Sequence, residues 1–431
     1  MDPKNFLFVS YDALIVDIAW QILKEKHNVK FCIEAASEKE VADGFIPKID
    51  DWKKEIDWAD VIIFDDVLGM GAEAKKVREQ GKAVIGGTPY TDKLEDDRAF
   101  GQEELKRNGV SILPYKEFTS FDEAIKFVQE NPGRYVIKPS GEAQNIKGLL
   151  FIGEEEDGKD VIQVLGDYNK AWSKKIPVFQ LQKRVTGVEI AVGAFFDGKE
   201  FIYPINVNFE HKKLFPGNIG PSTGEMGTSM FWSGPNKLFN QTLKKMEPKL
   251  AEEGYVGYID INCIVNGNGI YPLEWTSRFG YPTISIQQEG IITPISEFLY
   301  DLATGNKPKL RVKSGFQVGV RIVVPPFPFK DPETFNVKSK DSVIFFKKPN
   351  GLDGIHIEDV KQVNGQWLVT GNAGVVLIVC GTGSTMKQAQ NQVYNRINNI
   401  IVPHMYYRKD IGDRWYEDSD HLHSWGYLRE A

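Results

Sequence analysis

Cysteine is scarce in this chain: three residues in 431, an odd number, at the widely separated positions Cys32, Cys263 and Cys380. That spacing excludes a disulfide framework or a cysteine-ligated zinc knuckle and fits a reducing compartment. Cys263 and Cys380 lie in apolar segments and read as buried thiols. There is no apolar run near the ~18 residues of a membrane span, and no secretory leader pattern at the start. Basic residues are not in surplus, with Lys+Arg 52 against Asp+Glu 59 and a net charge of −7; this argues against a nucleic-acid groove. Repeats, low-complexity tracts and long linkers are also missing. What is present is 42% hydrophobic and 12% aromatic, enough for a large core. At 431 residues the chain exceeds what one core usually serves, so two or three domains are expected. The expectation is a globular cytoplasmic protein, monomer or homodimer, with neither membrane nor nucleic acid as partner.

The most informative stretch runs from His211 to Gly280. It opens with HKKLFPGNIGPSTGEMGT (211–228) and closes with GYIDINCIVNGNGIYPLEWTSRFG (257–280). Residues 258–265 alternate and are β-branched, Asn266-Gly267-Asn268-Gly269 is a turn, and 270–276 is a second strand. Side chains two apart share a face, so Asp260 and Asn262 point together from one strand, and Glu274 and Thr276 from the other. Oxygen ligands drawn from two paired strands suit Mg²⁺ (or Mn²⁺), a hard cation held by one or two carboxylates plus nucleotide phosphates.

These residues resemble the ATP-grasp ligases, and within them the glycinamide ribonucleotide synthetase (phosphoribosylamine–glycine ligase) family. That family has an HKR…GPNTGGMG loop followed by an EFNxRFGDPE strand end; this chain has HKKLFPGNIGPSTGEMG and EWTSRFGYPT. The resemblance implies an α/β, ATP-grasp fold with an N-terminal doubly wound parallel-sheet domain and a C-terminal β-rich domain. The expected divisions are 1–112, 113–309 with a lid over about 113–190, and 310–431.

Strands at 5–10, 29–35, 60–66 and 82–87 alternate with helical patterns, as a parallel sheet requires. Ligands then sit beyond the carboxyl ends of the strands, where this chain carries Asp12, Asp65 and Asp66. The family has a glycine-rich GxGGREH turn after its first strand, suited to a sugar phosphate. Here the turn reads SYDALIVD. Three acids would repel a phosphate and attract a cation, unless they are helix N-caps. Asp12 is therefore a candidate substrate contact.

The segment 93–108 reads as one helix. Arg98 stands in DRAF where the family has a lysine in SKxF. RYVIKPSGEAQNIKGLLFIG (134–153) resembles the family's VVKADGLAAGKGV, with Lys138 on the first strand and Lys147 on the loop over the phosphates. A transferring phosphoryl group needs such fixed cations. LQKRVTGVE resembles the family's adenine hinge, which implies that Gln182, Lys183 and Val185 flank the purine and that Glu189 meets the ribose. His211, Lys212 and Lys213 could meet a carboxylate or phosphate, and Ser222, Thr223 and Gly224 offer hydroxyl and backbone donors. Arg278 follows the metal candidates and could meet the acyl phosphate, or it forms a salt bridge.

A helix over 288–304 precedes further strands at 317–324, 342–346, 360–363, 366–371 and 375–381. The turn PPFPF (325–329) departs from the family's GGYPG. RKDIG (408–412) matches the family's RxDIG ending, where Arg408 and Asp410 are expected to fix the C-terminal part against the nucleotide site. The implied function is ATP-dependent ligation of a small, glycine-like amino acid to a small-molecule amine through an acyl phosphate. The altered first turn favours an amine other than phosphoribosylamine. The alternatives are a divergent phosphoribosylamine–glycine ligase, and a nucleotide-binding sensor that no longer ligates.

Overall fold

The computed structural model describes residues 1–65, 69–141, 143, 146, 148–348 and 352–428. Strands β1 (Asn5–Ser10), β2 (Asn28–Ile33), β3 (Lys48–Ile49), β4 (Val61–Phe64) and β5 (Ala83–Ile85) form an all-parallel sheet in the order β3-β2-β1-β4-β5. Both faces of the central strands are covered, which is why β4 is wholly apolar and β1 runs apolar from Phe6 to Val9. Phe6, Phe8, Phe31 and Ile63 enter one core layer, while Leu7, Val9, Ile62 and Phe64 enter the other. The expected parallel, doubly wound sheet is present.

A smaller antiparallel sheet follows, built from β6 (Tyr115–Phe118), β7 (Tyr135–Pro139), β8 (Phe151–Ile152) and β9 (Phe179–Lys183) in the order β6-β9-β7-β8. Helices Phe121–Glu130 and Lys159–Trp172 bury Ala124, Val128, Val161 and Leu165 with Phe179 and Leu181.

The remaining strands are β10 (Val188–Asp197), β11 (Phe201–Glu210), β12 (Lys213–Phe215), β13 (Ile219–Ser222), β14 (Gly227–Ser233), β15 (Val256–Asn266), β16 (Gly269–Thr276), β17 (Phe316–Val323), β18 (Val343–Phe346), β19 (Ile355–Ile357), β20 (Val360–Val363), β21 (Gln366–Val369), β22 (Val375–Gly383) and β23 (Ile400–Ile401). Eight of them make one sheet, β16-β15-β10-β11-β14-β17-β22-β19, whose pairings are all antiparallel. This sheet runs without a break across residue 310, because β17 pairs with β14 as well as with β22. Gly227, at φ +153, sits at that seam; a Cβ there would stand 2.4 Å from the carbonyl oxygen of Gly319.

Two helices expected to be continuous are broken. The segment 93–108 divides into helices Pro89–Asp96 and Arg98–Arg107. Asp97 is extended between them, and its side chain accepts the Phe100 amide at 3.0 Å, so it caps the second helix. The segment 288–304 divides into Thr283–Gly290 and Ile295–Thr304, with Pro294 unable to donate an amide at the break. Among the described residues no helix is long and apolar enough to cross a membrane.

Candidate active site

The register of the β15–β16 hairpin pairs Asp260 with Thr276 and Asn262 with Glu274. All four side chains therefore lie on one face, as their spacing predicts. Strand β10 extends that face, with Ala191 opposite Asn262 and Gly193 opposite Asp260. Gly193 has no room for more: a Cβ would fall 2.0 Å from the Tyr258 hydroxyl. Glu189, also on this face, stands one step further along β10.

At the end of β11 the chain delivers a cation and another carboxylate. The Lys212 ammonium lies 2.7 Å from Glu274 Oε1, 3.0 Å from Glu189 Oε1 and 3.3 Å from Glu210 Oε2. Burial works against the charge on Lys212, but the carboxylates of Glu189, Glu274 and Glu210 outweigh it and hold its pKa well above the usual value. The same ammonium beside it pulls Glu274 down to about 2, against burial. Asn262 Nδ2 donates to Glu210 Oε2 at 3.0 Å, while its carbonyl oxygen is buried with no hydrogen-bond partner. Asp260 is different. It is buried, with Glu210 and Glu95 nearby, and its carboxyl is pushed well above the usual range, with the Thr276 side chain and Arg278 working the other way.

Lys138 reaches this group from β7. It is 6% exposed. Burial first, and then the Arg98 guanidinium beside it, bring its amine down to about 7. Arg98 is carried by the first turn of helix Arg98–Arg107. That helix is docked on β16 by Trp275 Nε1 donating to the Gly101 carbonyl (3.3 Å) and Gln102 Nε2 donating to that of Pro272 (3.4 Å). A cavity of about 370 Å³ lies between them, lined by Glu95, Arg98, Gly224, Glu274, Thr276 and Arg278 among others. Lys147 lies outside the described residues, as does Asp66.

The other expected residues divide. Gln182 is buried on β9, paired with Val136 of β7; Lys183 is exposed and Val185 half-buried just beyond. Arg278 faces the cavity and pairs with Glu95 at 2.8 Å. Gly224, at φ +85, shapes the cavity wall. Thr223 spends its hydroxyl on the Lys212 carbonyl (3.0 Å), and Lys213 pairs with Ser222 in the β12–β13 ladder. His211 does not offer a charge: it is 2% exposed, its Nδ1 has no partner, and burial, with Arg414 and Arg408 nearby, lowers its pKa to about 3. Asp12 is not among the residues lining the 370 Å³ cavity; it is half-buried near Lys330 and Glu38, its carboxyl raised by burial. Asp65 accepts from Ser10 Oγ and, at 3.0 Å, from the Tyr11 amide, so it fixes the turn after β1.

Sequence reasoning passed over Glu210, Glu95 and Gln180. Glu210 immediately precedes the histidine of the loop motif and alternates in phase with Asn206 and Asn208, a signal that was there to read. Glu95 sits in a charged run that looks solvated. Gln180, opposite Lys138 in the β7–β9 ladder, is fully buried with both amide atoms unpartnered.

From the far end of the sequence, Arg408 donates to the Lys213 carbonyl (2.9 Å) and Asn218 Oδ1 (3.1 Å), and Asp410 accepts the Gly217 amide (3.0 Å). Arg414 donates to the carbonyls of Glu210 (3.0 Å) and Glu189 (2.7 Å). These bonds hold the β12–β13 loop and the two acidic strands in place.

The set fits a magnesium nucleotide. Orphaned Asn262 Oδ1 and the Glu274 and Glu210 carboxylates offer hard oxygen ligands, and Lys138 and Arg98 offer charge to phosphates. Among the described residues no three acidic, His or Cys side chains are arranged to hold an ion by themselves.

Residues 96–284 match the ATP-grasp (A) domain of phosphoribosylglycinamide synthetase, and residues 332–414 match its C domain. The phosphoribosylamine–glycine ligase of Lactococcus lactis is 27% identical over 340 residues, covering 77% of this chain and 78% of the relative. That of Streptococcus pneumoniae is 24% identical, covering 81% and 82%. The crystal structure of the phosphoribosylamine–glycine ligase from Thermotoga maritima superposes with a TM-score of 0.70 at 19% identity, covering 94% of this chain and all of that one. A biotin carboxylase–β-γ-ATP complex from Campylobacter jejuni gives 0.62 at 14% identity, covering 98% and 96%. Likeness at these identities shows the ATP-grasp fold.

Proposed function

Because the chain belongs to the phosphoribosylglycinamide synthetase family of ATP-grasp ligases, we propose that it joins glycine to phosphoribosylamine at the expense of ATP. Ligation of a carboxylate to an amine with release of ADP comes with the family; the two substrates are our reading. The observation that carries it is the convergence of Lys138, Arg98, Glu189, Glu210, Asn262 and Glu274 on one cleft. The curated relatives support the choice of acceptor. A non-catalytic sensor is set aside by the family's enzymatic character.

In this reading a carboxylate oxygen of glycine attacks the γ-phosphorus, the bond to ADP breaks, and an acyl phosphate forms. The amine nitrogen attacks the acyl carbon, inorganic phosphate leaves, and the amine loses its proton. Lys138 and Arg98 steady the charge on the transferring group, and Glu189 and the Gln182–Val185 hinge hold the nucleoside. Glu274, with Asn262 and Glu210, would hold magnesium, which neutralises phosphate charge. Arg278, set by Glu95, faces the cavity where the acyl group forms. Positioning and electrostatics suffice, and no nucleophilic side chain is required.

A second reading, a cationic acceptor other than phosphoribosylamine, draws on the turn after β1. Asp12 there lies near the buried carboxyls of Glu38 and Asp359, with Lys330 the nearby cation. It ranks second because the curated relatives named above are phosphoribosylamine–glycine ligases. ADP release with Mg·ATP, measured with amino acids in the presence and absence of phosphoribosylamine made in place, separates the two. Turnover requiring glycine and phosphoribosylamine together is the expected result. Turnover with another amine instead replaces the first reading with the second, and no ADP under any pairing overturns both.

A further inference from the structure

Three carboxylates from three strands, Glu189 on β10, Glu210 on β11 and Glu274 on β16, are gathered on a single cation, and that cation belongs to the protein. Lys212 Nζ stands within 3.3 Å of each, while the buried Asn262 carbonyl oxygen beside Glu210 has no donor at all. A rigid metal site would turn its oxygens toward an empty point. Here the point is filled by an ammonium on a flexible stem, anchored at the start of the loop that Arg408 and Asp410 clamp. We propose that Lys212 is a built-in counter-ion. It occupies the acidic cluster while the nucleotide is absent and keeps a bare divalent ion out. It yields its place only to an ion that arrives with phosphates. The proposal rests on the reading of Glu274 as a metal ligand.

The physical basis is charge balance. Lys212 is the cation that touches all three carboxylates, and a divalent ion entering without phosphates must displace the ammonium, with only water to receive it. Arriving with a nucleotide, the ion brings phosphoryl oxygens that accept the displaced ammonium at short range. Exchange is then favoured by the pair and not by the ion alone. A charged arginine at this position would still oppose a bare ion. A neutral side chain would leave the carboxylates and the Asn262 oxygen open to one.

The test is Mn²⁺ binding to nucleotide-free protein, read by the electron paramagnetic resonance signal of the free ion. The wild type should bind Mn²⁺ alone weakly, Lys212→Met should bind it about tenfold or more tightly, and Lys212→Arg should resemble the wild type. Lys212→Gln serves as a second neutral variant, with circular dichroism confirming the fold of whichever is used. Equal Mn²⁺ affinity in the wild type and the neutral variants overturns the counter-ion role. Adding Glu274→Gln to Lys212→Met should abolish the gain. If the gain survives that change, the reading of Glu274 as a ligand fails. Mn·ADP binding by the wild type, and its weakening in Glu274→Gln, tests that reading independently of Lys212.

Discussion

At the scale of the residue, Lys138 shows how burial sets chemistry. An ordinary lysine titrates near ~10.4, but here burial and the neighbouring Arg98 bring it to about 7. Much of it is therefore neutral in the nucleotide-free protein at pH 8. Triphosphate oxygens placed against it favour the charged form and raise its pKa again. ATP binding at pH 8 should take up close to one proton per site, fading to none as pH falls below about 6. Isothermal titration calorimetry in buffers of different ionisation enthalpy measures this directly, and Lys138→Met should remove the uptake. Lys138 was legible in the sequence because its motif places it on a strand end before a loop. The low pKa was not, since it depends on burial and on Arg98, which only the fold brings beside it. Glu210 was missed although its alternation with Asn206 and Asn208 was there to read; what the sequence hides is its partner, since only the folded sheet brings it to Asn262.

At the scale of the element, a buried histidine ties three pieces together. His356 on β19 meets Asp17, on helix Val16–Lys24, at 2.7 Å through Nδ1. Its other nitrogen lies 3.8 Å from Glu289 on helix Thr283–Gly290. Ser285 and Gln288 also donate to Asp17. Burial opposes the imidazolium, but Asp17 outweighs it and holds the histidine pKa well above its usual value. A pKa raised on folding contributes stability in full below the unfolded value of about 6.5, lost as pH rises through the folded value. His356→Gln should therefore cost about 3–5 kcal/mol in urea unfolding at pH 6, with a smaller deficit at pH 9. A constant deficit across that range would point to lost packing instead. Nothing in the sequence marks this contact, because Asp17 and His356 look like a helix-face acid and a strand histidine. The broken helix at Asp97 was likewise hidden, since a cap within a charged run has the composition of a continuous helix.

At the scale of the whole molecule, the parallel sheet was readable because its strands announce themselves as contiguous apolar runs. The sheet that holds the site was only half readable. The β15–β16 hairpin declares itself through its turn, whereas the β14–β17 pairing joins segments more than 80 residues apart and leaves no local mark. That pairing predicts the fate of a fragment ending at residue 309. It would leave the β14 edge unpaired and uncover the helix Thr283–Gly290, whose Ile286 packs against Ile378 and Cys380. Such a fragment should bind 8-anilinonaphthalene-1-sulfonate and lack near-ultraviolet circular dichroism; a cooperative unfolding transition for it would contradict this. The bonds from Arg408, Asp410 and Arg414 carry a related consequence for how the protein is made. The strands bearing Glu189 and Glu210, and the loop after them, are fastened by residues synthesised some two hundred positions later. A ribosome that stalls before residue 408 releases a chain whose nucleotide cleft has never been closed from behind. Such a chain lacks the fastening behind the strands that carry Glu189 and Glu210, so a formed cleft should await the translation of residues 408–414.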